Sequence, residues 1–181
     1  MKHTTYCNPL DLGYRYQHTK EGHAAGFREG ADPTLVYFKG KYYLFVSMSA
    51  GFWYSEDLLN WEFHADPELL IYDYAPDVRQ VGEYLYFCAS RREVNCPILR
   101  TKDPLTEKFS EVSAPFDFWD PDLFCDEDGR VYFYWGCSNV TPIYGVEMNP
   151  ETMEPIGEKK ALIFNNEDKY GYERPGDNGH N

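Results

Sequence analysis

A chain of 181 residues, 43% of them hydrophobic, is long enough to bury one domain core. Its 30 acidic against 17 basic residues leave a formal net charge of −13, a field that repels phosphate backbones and argues against nucleic acid as a partner. No apolar run approaches the roughly 20 residues needed to cross a membrane as a helix. The five cysteines, Cys7, Cys88, Cys96, Cys125 and Cys137, are odd in number and contain no CxxC pair, which argues against a disulfide framework and a zinc site.

The start, Met1-Lys2-His3-Thr4-Thr5-Tyr6, has no apolar signal region, so a cytoplasmic location is the default. A periplasmic or secreted location would follow if the amino terminus is processed or engineered. The first strand pair is expected at Leu35-Val36-Tyr37-Phe38 and Lys41-Tyr42-Tyr43-Leu44-Phe45-Val46, joined by Lys39-Gly40. Val78-Arg79-Gln80-Val81 and Tyr84-Leu85-Tyr86-Phe87 around Gly82-Glu83 form the second. Leu123-Phe124-Cys125 and Arg130-Val131-Tyr132-Phe133-Tyr134 around Asp126-Glu127-Asp128-Gly129 form the third. Cys88, Cys125 and Cys137 fall in aromatic strand-like runs and read as small buried hydrophobes. Arg91-Arg92 reads as a surface loop pair, and no segment of 11 or more residues carries a helical period.

The three hairpins form an internal repeat. Each opens on Pro and Asp, in Ala31-Asp32-Pro33, Ala75-Pro76-Asp77 and Trp119-Asp120-Pro121. Gly40 to Gly82 is 42 residues and Gly82 to Gly129 is 47. A period in the forties with about four strands per unit is the signature of propeller blades. The expected fold is an all-β propeller with about three blades, at 28–70, 71–115 and 116–160, in a single domain over 1–181. Propellers close on themselves with 4–8 blades, so three blades leave sheet edges that invite self-association.

The innermost strand of each blade lines the axis of a propeller, so carboxylates repeated at its start converge on one funnel. Asp32, expected to be buried there, together with Asp77 and Asp120, could hydrolyse a glycosidic bond: converging acids repel one another, one stays protonated and another stays ionised. The plain alternative is that Asp beside Pro is turn chemistry. Asp126-Glu127-Asp128-Gly129 has an EF-hand look, but the downstream Glu is missing and a hairpin turn explains it.

Four ordered stretches resemble glycoside hydrolase family 43: Ala31-Asp32-Pro33-Thr34 with Lys39-Gly40-Lys41-Tyr42-Tyr43-Leu44; Ser55-Glu56-Asp57-Leu58-Leu59-Asn60-Trp61; Tyr74-Ala75-Pro76-Asp77-Val78; and Trp119-Asp120-Pro121-Asp122-Leu123-Phe124 with Asp126-Glu127-Asp128-Gly129. The resemblance implies a five-bladed propeller, an inverting hydrolase of arabinose- or xylose-containing glycans, and an oligo- or polysaccharide as partner. It makes Asp32 the general base, Asp120 the carboxylate that raises and orients the acid, and Asp77 part of the pocket floor. Phe52 and Trp53 fall where the family often places sugar-facing aromatics, with blade packing as the equal alternative, and Trp119 is a further candidate of this kind. No cofactor is implied, although a central calcium occurs in some relatives. The family's acid is a Glu in a Glu-Gly-Pro or Glu-Gly-Ala motif before an aromatic in a later blade, and no such motif follows Asp32 here; Glu173 is the nearest look-alike. The chain therefore reads as a C-terminally truncated hydrolase or as a carbohydrate-binding fragment or pseudoenzyme. A fructan-cleaving propeller is a third reading, but its Trp-Met-Asn-Asp-Pro start is absent.

Overall fold

The computed structural model describes residues 12–13, 17–18, 26–27, 31–70, 73–91, 95–138 and 140–171. A two-residue ladder, β1 (Gln17–His18) with β2 (Gly26–Phe27), comes first. Three four-stranded antiparallel sheets follow. The first contains β3 (Thr34–Phe38), β4 (Lys41–Phe45), β5 (Gly51–Ser55) and β6 (Glu62–Ala65). The second contains β7 (Tyr74–Val81), β8 (Tyr84–Ser90), β9 (Ile98–Thr101) and β10 (Ser110–Ser113). The third contains β11 (Asp122–Cys125), β12 (Val131–Trp135), β13 (Ile143–Met148) and β14 (Pro155–Ile163). The third sheet runs past the expected blade end at 160. One short helix, Glu167–Tyr170, is the only helix among the described residues. No helix among them is long and apolar enough to cross a membrane.

Turn chemistry sets the register. Phe38 pairs with Lys41 around Lys39-Gly40, where both turn residues have positive φ, 46° and 87°. That conformation matches the right-handed twist of the flanking strands and suits glycine. The outer turns repeat too: the side chains of Asp57, Asp103 and Asn149 accept from backbone N–H groups two residues on, at Leu59, Leu105 and Glu151. Asp57 also takes both the backbone and side-chain N–H groups of Asn60, which hold its carboxyl well below the usual range.

Side-chain alternation joins the sheets into an array. Along β8, Leu85, Phe87 and Ala89 belong to a core shared with Phe38, Phe45 and Phe52 of the first sheet. Their neighbours Tyr86 and Cys88 belong to a second core with Leu123, Val131 and Phe133 of the third. Period-two alternation thus buries the middle sheet on both faces, which explains why Leu85 to Ser90 are all buried. The strands that meet between sheets include β3 with β7 and β7 with β11. The first strand of each sheet therefore lies at the common axis, as in a propeller.

The cysteines divide differently from expectation. Cys88 and Cys96 are buried, but Cys125 is exposed and Cys137 half-buried, because the third sheet's outward side chains have no further sheet against them among the described residues. Arg91 also departs from the surface-pair reading. Its Nε and Nη2 reach the two carboxylate oxygens of buried Asp73 at 2.5 and 3.1 Å. Burial raises the Asp73 carboxyl despite that cation.

Candidate active site

Pairing registers align the three innermost strands. Thr34, Asp77 and Asp122 sit opposite Phe45, Cys88 and Tyr134, so these three are equivalent. Two residues earlier, just before each Pro, stand Asp32, Ala75 and Asp120. All three have left-handed backbones, with φ of 51°, 44° and 47°. Left-handed φ is uncommon for non-glycine residues. Its recurrence at Ala75, which has no polar side chain, makes it a property of the blade start rather than of the carboxylate.

This alignment corrects the expected triad. Asp32 and Asp120 occupy one repeat position, while Asp77 is displaced by two residues and its place is taken by Ala75. Asp32 is not buried; it is exposed, two residues ahead of β3. Among the described residues, one bond holds its carboxylate: the Ser47 hydroxyl donates to Oδ2 at 2.7 Å. Asp120 is half-buried, and its N–H donates to the Ser90 hydroxyl at 2.9 Å. Trp119 beside it is half-buried, and its carbonyl accepts from the Gly136 N–H at 2.8 Å.

Asp77 works between blades. It is 5% exposed, and its Oδ2 accepts from the Leu123 N–H of the third sheet at 2.7 Å. Its equivalent in the first sheet does the same job by donation, since Thr34 Oγ1 reaches the Pro76 carbonyl at 2.7 Å. Arg79 lies between Asp77 and Asp122, at 3.4 and 3.1 Å. Burial pushes the Asp77 carboxyl up to about 6, against the downward pull of the Leu123 N–H and Arg79, with Asp122 adding to the rise.

An acid raised above its unfolded value of 3.8 holds its proton more tightly when folded. Its contribution to stability is complete below that value and is lost as pH rises through about 6. The change amounts to about 3 kcal/mol. Urea midpoints measured from about pH 4 to pH 7 are expected to fall, and Asp77→Asn, always neutral, removes most of that slope. Asp73, also raised by burial, leaves a slope of the same sign. An unchanged slope in Asp77→Asn would show that Asp77 does not titrate there.

The aromatic candidates separate. Phe52 is 0% exposed and packs against Tyr43, Phe45, His64 and Phe109. Trp53 is 4% exposed, packs edge-on against Phe63, and donates from Nε1 to the Gly13 carbonyl at 3.2 Å. Both sit on β5, the third strand out from the axis. They are blade-packing residues, not sugar-facing surfaces, because no face of either ring reaches solvent. Trp119 keeps exposed surface next to Asp120. Glu173 lies outside the described residues.

Ser47, Ser90, Arg79 and Asp122 escaped the sequence reading. Each has a partner in a neighbouring sheet, Ala75 for Ser47, Asp120 for Ser90 and Asp122 for Arg79, at separations no local pattern reveals. The Asp126–Asp128 turn is a hairpin device: Asp128 accepts from both the backbone N–H and the Nε of Arg130.

No curated protein matches the chain. Among solved structures, a thermostable family-43 glycoside hydrolase is similar at 22% identity and TM-score 0.61, covering 92% of this chain and 59% of that one. An α-L-arabinofuranosidase from Clostridium thermocellum matches at 16% identity and TM-score 0.59, covering 73% and 55%. An arabinanase from Bacillus subtilis matches at 19% and 0.55, covering 72% and 55%. At these identities the likeness shows the fold: this chain spans between half and three fifths of each relative, and its three sheets are blades of the same propeller. The family model for glycosyl hydrolases family 43 matches residues 27–175, and the chain belongs to that family.

Proposed function

We propose that this propeller hydrolyses glycosidic bonds in arabinose- or xylose-containing glycans with inversion, Asp32 acting as general base and Asp120 as the carboxylate that tunes and orients the acid. The observation that carries the reading is the shared pre-proline start of the innermost strands, which gives Asp32 and Asp120 the same backbone geometry two blades apart. A base must meet water, and Asp32 is exposed with no bond from described residues on its Oδ1. Inverting enzymes need room for that water between their carboxyl groups. An arabinanase from Cellvibrio cellulosa solved with arabinohexaose supports an arabinose-based substrate.

The test uses 2,4-dinitrophenyl α-L-arabinofuranoside and β-D-xyloside. Their leaving groups need no protonation, so turnover depends on the base and not on the acid. Proton NMR of the first-formed sugar is expected to show the inverted anomer, and a retained anomer would overturn the mechanism.

A second reading, a module that holds a sugar without cleaving it, applies to this chain taken by itself, since the family's acid is a Glu of a later blade. Calorimetric heat with arabino-oligosaccharides, unaccompanied by release of dinitrophenol, would select it.

A further inference from the structure

Asp32 acts through its surroundings, and the structure assigns Ser47 a positioning role: its hydroxyl ties the Asp32 carboxylate to the backbone of the second blade. This rests on the reading of Asp32 as base.

Ser47 is 3% exposed and lies two residues past the end of β4. Its Oγ accepts from the Ala75 N–H at 2.8 Å and donates to Asp32 Oδ2 at 2.7 Å. A hydroxyl has one proton. A carboxylate can only accept and an N–H can only donate, so the direction of both bonds is fixed. The Ser47 N–H also donates to the Ala31 carbonyl at 3.0 Å, which ties the serine to the backbone beside Asp32. One small side chain thus locks the rotation of the carboxylate to the left-handed start of the next innermost strand.

The second blade repeats the arrangement. Ser90 stands at the position of Ser47, and its Oγ accepts from the Asp120 N–H at 2.9 Å. The serine of each of these blades bonds the pre-proline N–H of the blade that follows. In the first blade alone, the blade's own pre-proline residue is an aspartate that takes the serine proton. The third blade has Gly136 in this place, with φ of 130°, and a Cβ there would stand 3.0 Å from the Pro142 carbonyl oxygen, so a serine would be strained. Charge-assisted bonds of this kind hold a group to one geometry, and a base must meet its water within hydrogen-bond reach.

The test compares the 181-residue chain with Ser47→Ala, Ser47→Thr and Asp32→Asn on 2,4-dinitrophenyl α-L-arabinofuranoside. Ser47→Ala is expected to lower kcat about 10- to 100-fold, the worth of one hydrogen bond to a charged group, with KM unchanged. Ser47→Thr keeps the hydroxyl and restores kcat. Amide exchange at Ala75, read by NMR without turnover, is expected to speed up at least about 10-fold in Ser47→Ala as the bond is lost. If Asp32→Asn abolishes turnover while Ser47→Ala retains full kcat, the positioning role falls and the base stands. If Asp32→Asn retains full rate, the base reading falls first. Unchanged Ala75 exchange in Ser47→Ala would remove the bridge itself.

Discussion

Exchanging the Asp32 carboxylate for an amide is expected to cut kcat on 2,4-dinitrophenyl α-L-arabinofuranoside by roughly 10²–10⁴-fold, the usual worth of a positioned general base, with the urea midpoint unchanged. The fold does not depend on the charge. Asp32 is exposed, belongs to none of the core clusters, and offers one oxygen to Ser47. Asparagine keeps an acceptor for that hydroxyl and the same left-handed backbone, which it tolerates as well as aspartate. What it loses is the capacity to take a proton from water. Steady-state kinetics beside a denaturation curve separate these effects. Full activity in Asp32→Asn would end its role as base, and a lowered midpoint would show that the charge is structural.

Phe52→Ala is expected to destabilise the chain by about 3–5 kcal/mol, the range for truncating a fully buried phenylalanine, read from the shift in urea midpoint. Ring centroids of Phe45 and His64 stand 4.9 and 5.0 Å away, and those of Tyr43 and Phe109 at 5.8 and 6.5 Å. Phe45 and Phe109 also pack against Phe87 of the second sheet. The cavity would therefore open at the joint between two blades, where strands on both sides limit collapse. Trp119→Ala, on a half-buried residue, is expected to cost on the order of 1 kcal/mol and to weaken sugar binding. A Phe52→Ala chain of normal stability with impaired sugar affinity would reverse the assignment.

The hairpins were legible because their turns are local: Lys39, Gly40 and Gly82 take positive φ between alternating aromatic strands, and both elements are visible within a dozen residues. The Asp32 and Asp120 positions were legible for a similar reason, since the following proline marks the strand start. Asp77 was misassigned because proline marks the backbone position and not the carboxylate; Ala75 is the residue before Pro76, and only the pairing of Asp77 with Cys88 reveals the offset. Phe52 and Trp53 could not be sorted by type. An aromatic on the third strand of a blade looks the same in sequence whether its ring faces a neighbour or a ligand. The pairing of Arg91 with Asp73 was hidden because an Arg-Arg dipeptide reads as solvated until a buried carboxylate is found opposite it.

The division of β8 between two cores bears on how the array unfolds. The first and third sheets share no core cluster; each is joined to the second, through Leu85, Phe87 and Ala89 on one side and Tyr86 and Cys88 on the other. Coupling of this kind is nearest-neighbour, like links in a chain. Loss of the middle unit removes both interfaces at once. Among the described residues the second blade is thus the joint between the Asp32 and Asp120 strand starts, which owe their mutual geometry to its folding.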